Sequence, residues 1–169
     1  MPGKVTHDDL TQNFHLLRSD PKKFLELADE LVRQNPNDRR AYFSRHWPLA
    51  LLGQHDLALA DLDRAIALEE RYGQREARGD LLRDMGRLSE AIDEYNRAES
   101  MDPKAWVGGF GPLFRADCHA RLGNLESALA DCATLRAEHW TPGMAATPAG
   151  SKSEVAAELR RLAAAARQP

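Results

Sequence analysis

The chain lacks most features that would announce a function on their own. Two cysteines, Cys118 and Cys132, stand in 169 residues, too few for a disulfide framework, and no CxxC or Cys/His cluster accompanies them to bind zinc. Two reduced thiols are the expectation. Both fall on helical patterns on either side of a turn, so a cross-link between them stays open. No run approaches the ~20 apolar residues of a spanning helix, and the opening MPGKVTHDDL has no apolar signal core. The expectation is a cytoplasmic chain with no membrane span. Neither sign of charge dominates, with 23 basic against 26 acidic residues and a net charge of −3, so no general attraction for phosphate backbones exists and no nucleic-acid partner is expected.

Catalytic signatures are missing too. Six histidines, His7, His15, His46, His55, His119 and His139, are scattered without an HExxH pair. His7, Asp8 and Asp9 could ligate a metal on paper, but they read better as a helix start with Thr6 as N-cap and acids at the positive end of the dipole. Cys118 and His119 are sequence neighbours, which on a helix point about 100 degrees apart and cannot act as nucleophile and base. Gly108, Gly109 and Gly111 are followed by no lysine with Ser or Thr, so they suit extra residues between repeats better than a phosphate loop. No enzyme, cofactor or metal site is expected.

What the chain does have is a repeat. LLGQHDLALADLDRAIAL (51–68), DMGRLSEAIDEYNRAESM (84–101) and RLGNLESALADCATLRAE (121–138) align on Gly53, Gly86 and Gly123. Five residues after each glycine comes Ala58, Ala91 or Ala128, and twelve after come Ala65, Ala98 and, as a departure, Leu135. Each block reads as helix, turn, helix. Glycine ends the first helix because the residue past a helix terminus often takes the left-handed backbone that only glycine adopts without steric cost. In the second block Leu88, Ala91, Ile92, Tyr95 and Ala98 form one stripe. Such a hairpin buries one face only, so its other face must stack on a neighbour.

On these residues the chain resembles the tetratricopeptide-repeat family. The second block carries the signature best, with Gly79, Leu82, Gly86, Ala91, Tyr95 and Ala98, closed by Asp102 and Pro103. The resemblance implies an all-α, right-handed solenoid of antiparallel helix hairpins. Residues 1–138 are expected to be repeat-like: a divergent helix pair over 6–36, then clear repeats at about 39–70, 72–103 and 109–138. In the divergent pair Asp20 should N-cap a helix opened by Pro21, while its first half is degenerate. A Pro/Gly loop is expected over 139–150. SKSE (151–154) reads as a capping box opening a helix over 151–168 whose apolar face, Val155, Leu159, Leu162, Ala163 and Ala166, caps the solenoid or awaits a partner.

The pattern breaks at Arg45, His46, Trp47 and Pro48. The family has Leu and a small residue where Arg45 and His46 stand, and Pro48 removes the helical bond to the Ser44 carbonyl. Breaks of this kind occur at functional sites and in merely degenerate repeats. Family resemblance also implies that the first helix of each hairpin lines a concave groove. Its outward positions are Arg40, Phe43 and Trp47 in the first clear repeat, Glu76, Asp80, Arg83 and Asp84 in the second, and Phe114, Asp117 and Arg121 in the third. Aromatics flanked by acids would suit a peptide or helix carrying basic and bulky apolar residues. Alternatively Phe43, Trp47 and Phe114 pack on the amino-terminal helices or the tail, leaving no open groove. Phe43 and Trp47 replace the lysine and asparagine with which some family members clamp chaperone tails, so that role is not implied. The expected function is a protein-binding adaptor or scaffold, with a dedicated chaperone or antidote of one partner as the alternative class and an enzyme centred on His46 a remote third. Pairing of two chains through an uncapped end stays open.

Overall fold

The computed structural model describes residues 4–135, 140–141 and 150–167. Helices follow one another almost without interruption: α1 (His7–Gln12), α2 (Leu16–Ser19), α3 (Pro21–Gln34), α4 (Arg39–Leu51), α5 (His55–Leu68) and α6 (Tyr72–Asp84). After these come α7 (Leu88–Met101), α8 (Pro103–Gly108), α9 (Gly111–Arg121), α10 (Leu125–Thr134) and α11 (Lys152–Ala166). Two two-residue strands, β1 (Trp140–Thr141) and β2 (Gly150–Ser151), pair antiparallel just before α11. They are a small addition to an otherwise all-α chain. Most of the expected loop, residues 142–149, lies outside the described residues. The chain divides into two compact units, Met1–Leu81 and Leu82–Pro169.

The three turn glycines behave as the repeat requires. Gly53, Gly86 and Gly123 have φ of 73°, 77° and 79°. In each turn the glycine N–H donates back to Ala50, Arg83 or Ala120, and the next residue's N–H donates to Leu49, Leu82 or His119. This paired closure satisfies carbonyls that the helix end would otherwise leave open. It recurs three times because the local sequence recurs.

Helix starts are equally local. Thr6 and Asp9 form a reciprocal capping box at α1, as do Ser151 and Glu154 at α11. Asp20 accepts from the Lys23 N–H ahead of Pro21, and Asp102 accepts from Ala105 ahead of Pro103. Proline fits these first positions because its missing N–H has no intrahelical acceptor there.

In the amino-terminal unit, α3 turns Phe24, Ala28, Leu31 and Val32 inward at helical spacing, against Leu10, Leu17 and Ala41. Burying each such side chain contributes about 1.5–3 kcal/mol, and this holds the short α1 and α2 on α3. In the carboxy-terminal unit α9 is the central helix, packed by α7, α10 and α11. Ala116, Ala120, Ala128 and Ala163 are almost wholly buried there, and so are Val155 and Leu159. Small residues let the helix backbones come close.

The 37-residue interval between the last two turn glycines accommodates the extra helix α8. Trp106 on α8 is buried beside Tyr95, with ring centroids 5.8 Å apart, and the Arg115 guanidinium lies 4.9 Å from its ring centre. A β-carbon on Gly111 would come within 2.1 Å of the Trp106 ring. Gly111 is therefore the seat of a tryptophan. Cys118 and Cys132 are both buried thiols, not joined by a disulfide.

Candidate functional site

The amino-terminal unit holds an open cavity of about 360 Å³ between its first helices and α4. Leu10, Leu17 and Phe24 form a buried floor. Phe14 and Trp47 stand beside it with ring centroids 6.1 Å apart, edge to face, and Phe14 also meets Phe24 edge-on at 6.4 Å. Both remain well exposed, Phe14 at 56% and Trp47 at 45%. Phe43 completes the aromatic wall, and His7, Thr11, Arg39, Arg40 and Ser44 supply the polar lining.

Local chemistry explains why these rings stay outside. Phe14 falls in the turn between α1 and α2, where the chain leaves the helix before Leu17 returns to the core. Trp47 sits on α4 next to His46, which points inward and is buried. Its Nδ1 donates to the Phe43 carbonyl. Burial pushes the His46 imidazole down to about 4, so it is neutral at pH 7, with the Phe43 bond opposing the shift. His46 is thus a satisfied core residue. Pro48 is also buried, and α4 continues through it to Leu51.

Arg45, the other rule-breaker, is a structural hub. Its Nη2 lies 2.7 Å from Asp61 Oδ1, its Nε 2.8 Å from Asp61 Oδ2, and its Nη1 2.9 Å from Asp29 Oδ1. Hydrogen bonds donated to Asp61, ahead of its charge and that of Asp29, hold the guanidinium more firmly protonated than usual against the opposing effect of burial. A leucine would leave both acids unpaired at this spot.

Of the expected groove residues in the amino-terminal unit, Arg40, Phe43 and Trp47 do line one cavity. Glu76 and Asp80 are half-buried on α6. Burial pushes the Glu76 carboxyl up, opposed by the bond it accepts from the Tyr72 hydroxyl at 3.0 Å.

In the carboxy-terminal unit the expectation of outward side chains is corrected. Phe114 is only 6% exposed and Asp117 is fully buried, as is most of Arg83. The Arg83 guanidinium lies over the Phe114 ring at 4.2 Å and pairs with Asp84 at 2.9 Å. Phe110 stacks on the same ring at 6.0 Å. Arg121 Nη1 lies 3.4 Å from Asp117 Oδ2. Burial pushes the Asp117 carboxyl up, against the lowering charges of Arg121 and Arg83. Arginines of the chain itself therefore engage Asp84 and Asp117, leaving little field to steer a basic segment. The expectation failed because helical spacing shows which face a residue occupies, not what a neighbouring ring or guanidinium lays over it.

Sequence reasoning missed Phe14, Leu10, Leu17 and Phe24 as parts of the cavity. A signal was present: Leu10, Phe14 and Leu17 fall at i, i+4 and i+7, a stripe on a segment set aside as degenerate. Among the described residues no group of three or more His, Cys, Asp or Glu is placed to hold a metal ion. No helix among them is long and apolar enough to cross a membrane.

Comparison with known proteins agrees with this architecture. The tetratricopeptide repeat family model matches residues 76–105, the block that carries Gly79, Gly86, Tyr95 and Pro103. Over 80 residues the chain is 29% identical to the small glutamine-rich tetratricopeptide repeat-containing protein 2 of Mycosarcoma maydis, covering 47% of this chain and 23% of that relative. The chain thus spans about a quarter of that relative's length. Among solved structures, MamA superposes with a TM-score of 0.66 at 17% identity, over 77% of this chain and 76% of that one. YrrB, a TPR protein with an unusual peptide-binding site, superposes with a TM-score of 0.61 at 17% identity, over 78% and 68% of the two chains. At such identities the likeness is one of fold. Taken with the thrice-repeated glycine closure and the matched block, it gives this chain a tetratricopeptide-repeat-like fold with one block that matches the repeat family's model.

Proposed function

We propose that the chain is a protein-interaction module whose amino-terminal unit holds a segment of a partner protein in the cavity beside α4. The observation that carries this is the exposed Phe14–Trp47 pair over a buried apolar floor. Two large rings left in water beside a cavity are costly unless something covers them, and aromatic anchors of this kind dominate binding energy at interfaces. At about 360 Å³ the cavity admits a few side chains of an extended or helical segment rather than a folded domain. The peptide site of YrrB makes ligand binding on this fold a precedent, and no more than that.

The test is differential capture from the source lysate by the wild-type chain, Trp47→Ala and Phe14→Ala, each confirmed folded by circular dichroism. Removing Trp47 should weaken capture by ~2 kcal/mol or more, the size of an interface hot spot. Partners retained equally by all three chains would remove the cavity from the proposal.

A further inference from the structure

Resting on that reading of the cavity, we infer that its occupant is an acidic segment of a partner protein, with a bulky apolar side chain seated against the Phe14 and Trp47 rings over the cavity floor and a carboxylate beside it on Arg40. This reverses the charge that the sequence led us to expect.

The lining itself sets the sign. Three of its five polar residues, His7, Arg39 and Arg40, are basic, and no Asp or Glu is among the lining residues. Two of the three are anchored from outside the cavity wall. His7 Nε2 lies 2.6 Å from Asp38 Oδ2, and Arg39 Nε lies 2.5 Å from Glu69 Oε2. Those contacts hold the side chains in place, and Glu69 offsets the charge of Arg39. Arg40 is different: its side chain is exposed and makes no ion pair with any described residue.

Asp38, the nearest acid, is already committed. It caps α4 by accepting from the Arg40 N–H at 2.8 Å while it holds His7. Burial would raise its carboxyl, but the His7 bond and the Arg40 N–H and charge together hold it below the usual range. Its lone pairs face these donors. The opening turn of α4 adds positive dipole on the same rim, where Arg39 and Arg40 are the first two helical residues. A carboxylate arriving there meets an exposed guanidinium that feels Asp38 through space but is bonded to no acid side chain among the described residues, and gains the paired hydrogen bonds that arginine offers a carboxylate. A lysine or arginine arriving there would meet the arginines of the lining, with the adjacent Asp38 already bonded to His7 and the Arg40 N–H.

The apolar half of the motif follows from geometry. Arg40, Phe43 and Trp47 occupy one face of α4 at i, i+3 and i+7. From Arg40 to Trp47 is seven residues, ~10 Å along the helix at 1.5 Å per residue. An extended segment covers that length in about three residues. The carboxylate and the apolar side chain should therefore lie within about three positions of one another.

The probe is a phage-displayed library of random heptapeptides, selected on the purified full-length wild-type chain and, in parallel, on Trp47→Ala and Arg40→Glu. Expected from wild type is enrichment of sequences with Asp or Glu within three positions of Phe, Trp, Leu or Met. Arg40→Glu should shift enrichment to Lys or Arg beside the same apolar residues, and Trp47→Ala should lose it. A synthetic peptide from the wild-type pool should bind Arg40→Glu at least ~10-fold more weakly and weaken as salt rises. Enrichment of neutral or basic sequences by wild type, lost in Trp47→Ala, would overturn the acidic assignment and leave the cavity as the docking site. Enrichment identical for wild type and Trp47→Ala would overturn both. Light scattering separates the remaining occupant: a dimer broken by Trp47→Ala would mean that a second copy fills the cavity, which also overturns the inference.

Discussion

Arg115 grips Asp131 with two parallel hydrogen bonds, Nη2 to Oδ1 at 2.6 Å and Nε to Oδ2 at 2.9 Å, and so reproduces the Arg45–Asp61 fork one unit earlier in the chain. Each arginine also reaches an acid sixteen residues upstream, Asp29 for Arg45 and Glu99 for Arg115. Both stand eight residues before a turn glycine, as does Arg78, which pairs with Asp63 at 2.7 Å. The arginine that looked like a broken rule is thus a rule of this chain. Arg45 and Arg115 each tie the helix before a turn to helices on either side of it in sequence.

Removing one member of such a fork leaves the other charge under protein. Arg115→Met should cost about 3 kcal/mol, because Asp131 is then buried without its partner. Arg115→Met combined with Asp131→Leu should recover most of that loss, since two apolar side chains replace the pair. Urea unfolding of the two single variants and the double gives the coupling directly. Independent, additive losses would show that the fork contributes little.

Gly111→Ala should destabilise by about 1–3 kcal/mol through its collision with the Trp106 ring. In a Trp106→Leu background the same alanine should cost far less, because the obstructing ring is gone. The contrast between backgrounds separates steric seating from any general intolerance of α9 to substitution.

At Gly86 the cost should come from the backbone. A β-carbon meets nothing there, yet φ is +77°. Gly86→Ala should lose about 1–2 kcal/mol, and Gly86→Asn less, since asparagine tolerates the left-handed region. Thermal unfolding of the pair checks the order.

His46 makes stability depend on acid. Its folded-state pKa of about 4 lies below the ordinary 6.5, so the unfolded chain binds the extra proton first as pH falls. The stabilisation is complete above about pH 6.5 and is lost progressively down to about pH 4, a total of about 3 kcal/mol. His46→Asn, which keeps a donor where Nδ1 stands, should flatten that slope between pH 6.5 and 4. An unchanged slope would assign the acid sensitivity to other groups.

Local chemistry made much of the fold legible. The glycine closures, the Asp–Pro helix starts at residues 20–21 and 102–103, and the capping boxes at Thr6 and Ser151 involve residues a few positions apart. Their geometry follows from backbone sterics and short-range hydrogen bonds, which a sequence displays directly. The candidate site was half legible: Arg40, Phe43 and Trp47 could be read from helical spacing, whereas Phe14 hid in a segment with no repeat pattern.

By itself, then, the sequence determined the period, the helices and their ends, because these are properties of neighbours along the chain. Only tertiary structure decided which charges are spent and which remain available. Asp84 and Asp117 are taken by Arg83 and Arg121, Arg45 by Asp61 and Asp29, while Arg40 stays exposed at the cavity rim. The physical reason is that a side chain's effective charge depends on the partner packed against it, and that partner is set by folding rather than by spacing.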